Sequence, residues 1–187
     1  SELLPLNEDD LWIQGFMKYG LNDEALKFSK QVTGLNYSVA VELGTILNNE
    51  GKHLETLRFL NDVDVDLNRE TFDLYYPLPY KEKIVNVANQ YGFPYVLYTG
   101  LIRTESGFDM DVVSVAGAVG WSQLMPATAN EQAYDLGIKN PDLNDPDTNI
   151  LLGGTYLNWL IGKYGSLPLS CMAYNAGPGN VWNWQKK

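Results

Sequence analysis

Short stretches with apolar residues at helical spacing, each broken by a glycine, make up the first part of the chain. Asn7 is placed to cap a run through Leu11, Trp12 and Phe16 that Gly20 stops. Asn22 is placed to cap a second run, with Ala25, Leu26 and Phe28, ending at Gly34. A third runs from about Tyr37 to Asn49, before Gly51, and a fourth around Leu54, Leu57 and Leu60 fades into Asn61. Helices this short, joined by glycine turns, predict antiparallel pairs stacked like a helical repeat, although the sequence shows no clean internal repeat.

The pattern changes between Asp62 and Tyr80, where acids, aromatics and two prolines mix, and a boundary is expected there. It separates an α-helical, solenoid-like segment, residues 1–74, from a second domain, residues 75–187. That domain opens with a helix from about Lys81 to Tyr91, with Ile84, Val85 and Ala88 on one face and Gly92 as its stop. Pro94 suits the first turn of the next helix, and Gly107 its left-handed end. Phe108 to Val119, with Val112, Val113 and Val115 around Ser114, reads as a small extended or β flap. Pro126 starts a further helix that Gly137 ends. Asp145 and Pro146 are a cap and a first-turn proline for a helix to about Tyr164. Gly153-Gly154 inside it predicts a close neighbouring backbone. A helix over Pro168 to Asn175 and a turn at Gly177-Pro178-Gly179 precede a last helix bearing Trp182 and Trp184.

Of the 187 residues 45% are hydrophobic, enough for a real core and against global disorder. The formal net charge of -10 argues against nucleic acid, which needs clustered Lys and Arg. Twelve Tyr and five Trp can stack on sugars or simply fill the core. Cys171 is the single cysteine, so no intrachain disulfide forms, and it reads as a small buried apolar residue. No run approaches a membrane span. The chain begins at Ser1 without a visible signal peptide, as a processed chain also would.

Glu105 is the residue the second domain has to explain. Tyr98, Leu101, Ile102 and Glu105 fall at i, i+3, i+4 and i+7, one face that is apolar except for the carboxylate. Lost hydration and the negative end of the helix both raise its pKa, as a general acid requires. The competing reading is a structural Glu at the rim of the core, its head in solvent or on an arginine. Asp109 and Asp111 offer a second carboxylate for a lysozyme-like pair, or caps for the turn after the helix. Around Ser122 the second glycine of a nucleophile elbow is missing, and the single His53 is distant, reading as a helix-surface histidine. Asp142 to Asn149 lacks the calcium-loop glycine and has Pro146 at a ligand position, so it reads as a solvated loop and helix cap. Neither a metal nor a cofactor is expected.

Several pieces follow in order: Tyr76-Pro77-Leu78-Pro79-Tyr80, Glu105-Ser106, Ser114, Gly117-Ala118 and Gly120, then Gln123 to Ala129. Asp145-Pro146 with Thr148-Asn149-Ile150, Gly153 with Tyr156-Leu157, and Ala173 to Gly179 continue them. Together, from about Tyr75 to Trp184, they resemble the catalytic domain of soluble lytic transglycosylases, bacterial enzymes that cut peptidoglycan. The resemblance implies a lysozyme-like, mainly α domain of α+β type with a small β flap beside a long groove. The preceding helices weakly resemble the family's helical superstructure.

By the same resemblance Glu105 matches the single catalytic acid and base, which explains why no second carboxylate is required. Ser114, Gln123 and Met125 match positions lining the groove beside the acid, and Tyr174 and Asn175 the opposite wall. The implied reaction cleaves between N-acetylmuramic acid and N-acetylglucosamine and leaves 1,6-anhydro ends. A hydrolytic muramidase on the same fold, and a weak or silent glycan-binding module, are the alternatives. The implied location is the periplasm or cell envelope of a bacterium, with glycan strands as substrate and cell-wall synthesis or remodelling proteins as partners. Two departures stand out. Trp121 and Ser122 replace the usual Leu-Met, which is expected to reshape the groove wall. A later Glu-Thr-Arg motif and a tyrosine supporting the acid do not appear before Lys187, so a C-terminally incomplete domain that binds glycan better than it cuts is expected.

Overall fold

A computed structural model describes residues 5–186; Ser1–Leu4 and Lys187, where the expected segments begin and end, lie outside the described residues. The chain divides into two compact units, Ser1–Pro77 and Leu78–Lys187. The described residues are mainly α-helical.

In the first unit the helices are α1 (Glu8–Lys18), α2 (Asn22–Ser29), α3 (Tyr37–Asn49), α4 (His53–Asp62) and the single turn α5 (Phe72–Tyr75). Asn7 caps α1 as expected, in a reciprocal box with Asp10. Asp10 is 1% exposed. Its second carboxylate oxygen accepts from the Asn36 N–H at 2.9 Å, which joins the start of α1 to the start of α3. Asn22 does not cap α2. It lies inside the helix, Leu21 precedes it without a side-chain cap, and its amide donates to Glu50. The helix also ends at Ser29, well before Gly34. Ile13, Leu43, Leu47, Phe59 and Leu60 form the core of this unit.

The second unit holds α6 (Lys81–Tyr91), α7 (Tyr95–Ser106), α8 (Pro126–Asp135), α9 (Pro146–Tyr164), α10 (Leu167–Ala176) and α11 (Pro178–Gln185). Helix α9 packs against α6, α8 and α10. Asp145 caps it, its carboxylate accepting from the Thr148 N–H at 2.9 Å. Pro94 stands one residue before α7, as its extended cap. On α6 the buried face is Ile84, Val87 and Ala88, so the stripe turns away from Val85. Gly153 and Gly154 do face close neighbours, but these are side chains: a Cβ at Gly153 would run into Ser122 and the Tyr98 hydroxyl, and one at Gly154 into Val87.

The flap between α7 and α8 is smaller than expected. Among the described residues it consists of isolated bridges, Val113 with Val119 and Val119 with Leu124. The chain reverses too often for a ladder to grow. Gly117, Gly120 and Gln123 all adopt positive φ within seven residues of sequence.

Candidate active site

Helix α7 delivers Glu105. Tyr98 and Ile102 are fully buried beneath it, Leu101 nearly so, and Glu105 itself is half-buried in the last turn. Burial pushes its carboxyl above the ordinary carboxylate value, and a hydrogen bond from Asn175 pulls the other way. That bond runs from Asn175 Nδ2 to Glu105 Oε1 at 3.4 Å and bridges α7 to the end of α10. A half-buried carboxyl, raised by burial and steadied by an amide donor, is suited to hold a proton and release it.

The neighbouring loop fixes the other expected residues. Ser114 accepts the Ala118 N–H on its hydroxyl at 2.9 Å and donates its own N–H to the Ala118 carbonyl at 2.9 Å, closing a turn. Its hydroxyl proton remains for another acceptor. Gln123 has a φ of 46°, a costly conformation for a side-chain-bearing residue. Its Nε2 donates to the carbonyls of Gly120 at 2.8 Å and Val112 at 3.1 Å. Both amide protons are thereby committed, and Oε1 remains as an acceptor. Met125 precedes α8 and is 42% exposed, an apolar side chain open to solvent.

Tyr174 sits differently. It is 8% exposed, and its hydroxyl donates to the Ser122 carbonyl at 2.9 Å. Its ring meets Tyr156, centroids 5.1 Å apart. It supports the segment bearing Gln123 from behind rather than offering a free hydroxyl. The structure thus joins Glu105 to Asn175 directly and Tyr174 to the residue before Gln123.

Trp121 and Ser122 are both buried, at 3% and 1% exposure. The Trp121 ring meets Tyr80 and Phe108 edge-on, and its indole N–H has no hydrogen-bond partner among the described residues. Asp109 serves its turn, accepting the Asp111 N–H at 3.0 Å. Asp142 and Asp145 likewise cap a loop and a helix. Cys171 is half-buried, which pushes its thiol up and away from nucleophile chemistry.

Sequence reasoning gave no role to Asn149, yet it is a clamp. Fully buried, it donates to the carbonyls of Leu143 at 2.9 Å and Val119 at 3.1 Å, and accepts the Ser122 N–H at 2.8 Å. A buried amide within the apolar run of α9 was the signal for it, since such a group must find partners.

Two surface hollows lie elsewhere, one over residues 29–35 and 62–64 in the first unit and one on α8 beside Glu131 and Tyr134. Neither includes Glu105. Among the described residues no group of three or more His, Cys, Asp or Glu could hold a metal ion, and no helix is long and apolar enough to cross a membrane.

The family model described as the transglycosylase SLT domain matches residues 82–187. The soluble lytic murein transglycosylase of Escherichia coli (strain K12) is 34% identical over 114 residues, covering 58% of this chain and 18% of the relative. The transglycosylase of Enterobacteria phage PRD1 is 36% identical over 110 residues, covering 59% of this chain and 39% of the relative. Among solved structures, an inactive glutamate-to-glutamine mutant of the lytic transglycosylase Slt of Pseudomonas aeruginosa superposes with a TM-score of 0.74 at 26% identity. It covers 92% of this chain and 28% of that one. The 70 kDa soluble lytic transglycosylase of Escherichia coli gives 0.72 at 23% identity, over 95% of this chain and 29% of that one, a likeness of fold. The chain spans 18% of the length of the Escherichia coli relative.

Proposed function

Because the chain belongs to the SLT transglycosylase domain family, we propose that its second unit cleaves the β-1,4 bond between N-acetylmuramic acid and N-acetylglucosamine, with Glu105 as the single acid and base. The observation that carries this reading is the setting of Glu105: a carboxyl raised by burial, at a helix end, with a hydrogen bond from Asn175. The inactivity of the glutamate-to-glutamine mutant of the Pseudomonas aeruginosa relative supports a glutamate-dependent reaction.

Protonated Glu105 donates to the glycosidic oxygen, and the bond to the anomeric carbon breaks. The substrate's acetamido oxygen stabilises the developing positive charge. The Glu105 carboxylate then takes the proton of the muramyl C6 hydroxyl as that oxygen attacks the anomeric carbon. A 1,6-anhydro ring forms, the carboxyl is again protonated, and no water is consumed. Ser114 and Gln123 hold the acetamido and hydroxyl groups, Gln123 through its uncommitted Oε1. Met125 bears on the apolar faces of the sugars, Tyr174 backs the groove by holding the Ser122 carbonyl, and Asn175 orients the carboxyl. The proposed setting is the bacterial envelope, with peptidoglycan strands as substrate and wall-synthesis or remodelling proteins as partners.

Glu105→Gln tests the assignment. The swap is nearly isosteric but cannot cycle a proton, so wall digestion should fall roughly a hundredfold or more while the fold is kept. Digestion at the wild-type rate would refute the role of Glu105. Mass spectrometry of the released muropeptides separates the chemistries: anhydro ends support transglycosylation, reducing ends a hydrolytic muramidase.

A further inference from the structure

Three elements carry the residues assigned to the reaction: α7 brings Glu105, the loop before α8 brings Gln123, and α10 brings Asn175. One buried residue touches all three. Ser122 is 1% exposed, and each of its polar atoms is engaged. Its N–H donates to Asn149 Oδ1 at 2.8 Å, and its carbonyl accepts the Tyr174 hydroxyl at 2.9 Å. Its Oγ lies 3.0 Å from the Tyr98 hydroxyl and 3.3 Å from the Asn149 carbonyl. Tyr98 donates in turn to the Ile150 carbonyl at 2.6 Å. Since that donation uses the single Tyr98 proton, Tyr98 must accept from Ser122.

We propose that Ser122 is the positioning residue that holds Glu105, Gln123 and Asn175 in register, a role that rests on the reading of Glu105 as the acid. Tyr98 lies two turns before Glu105 on the same helix face, so the Ser122–Tyr98 bond ties the loop to the helix of the acid. Gln123 follows Ser122 directly, in a strained conformation that needs its neighbour fixed. Tyr174 precedes Asn175, so the bond on the Ser122 carbonyl anchors the end of α10. The bare backbone of Gly153 leaves the room this cluster occupies. A buried network whose members are all satisfied is rigid, and rigidity here preserves the spacing between the acid and its partners.

Ser122→Ala, Tyr98→Phe and the double variant test this, assayed on glycan strands well below their melting temperatures. Each single variant should lower kcat about five- to tenfold, the cost of one buried hydrogen bond. KM should stay within about twofold, since the groove surface is untouched. The double variant should lose less than the product of the two single losses, because both remove the Ser122–Tyr98 bond. Folded variants with wild-type kcat, or losses that multiply in the double variant, would overturn the proposal. Tyr98→Phe keeps the ring and decides the matter alone if Ser122→Ala does not fold. An active Glu105→Gln protein would instead overturn the assignment of the acid, leaving the two failures distinguishable.

Discussion

Glu105 and Asn175 make a two-residue device whose pH behaviour follows from opposing effects. Burial raises the carboxyl and the Asn175 donor lowers it, while nearby Tyr174, pushed well above its ordinary range, stays neutral. A general acid works while protonated, so kcat falls as pH climbs through the raised value. Asn175→Ala removes the lowering partner, and the high-pH limb of the kcat profile should move upward; an unmoved or lowered limb would mean the amide does not act on the carboxyl. Stability moves with pH in the same direction as activity. The folded state holds this proton more tightly than the unfolded chain, so stability is greatest below the unfolded pKa of about 4.3 and declines as pH rises through the folded value. Glu105→Gln has no proton to lose. Its melting temperature should exceed wild type near about pH 7, with a narrower gap near about pH 4. A gap equal at both values would show that the folded carboxyl titrates like an exposed one.

At the scale of the element, α9 offers an internal control, because it holds Gly153 and Gly162 in one helix. A Cβ at Gly162 meets nothing, whereas one at Gly153 collides with Ser122 and Tyr98. Gly162→Ala should stabilise by about 0.5–1 kcal/mol. Gly153→Ala should destabilise by about 1–3 kcal/mol from overpacking, more than its gain in helix propensity. Thermal melts of the pair check both, and a stabilised Gly153→Ala would contradict the packing described. The bounds of α3 and α9 were legible because local signals agree there: apolar periodicity, Gly51 after one helix, and Asp145-Pro146 before the other. Asn22 misled because an asparagine suits a cap and also tolerates the first turn, and a partner 28 residues away, Glu50, decided between them. The flap was overread because β-branched residues predict extension but not pairing. Glu105 was legible as a lone carboxylate on an apolar face, whereas the Ser122–Asn149 clamp spans 27 residues and leaves no periodic trace.

At the scale of the whole molecule, two cores stand apart in sequence, one built on Leu43, Leu47 and Phe59 and one on Ile84, Tyr98, Leu124, Ile150 and Leu157. All the residues assigned to the reaction belong to the second unit. Residues 78–187 expressed alone should melt cooperatively by circular dichroism and keep glycan affinity, since a domain of roughly a hundred residues can bury enough surface to fold. A non-cooperative melt would show that the second core needs the first. The contact between Gly153 and Ser122 also restricts how this molecule can diversify. Volume there can be traded in only one direction, because glycine has nothing left to give up and Ser122 has a single hydroxymethyl group. Position 153 is therefore closed to ordinary drift until position 122 shrinks and the Tyr98 hydroxyl is lost as well. A library varying 153 alone should be strongly enriched in glycine, while one varying 98, 122 and 153 together opens a small set of linked solutions.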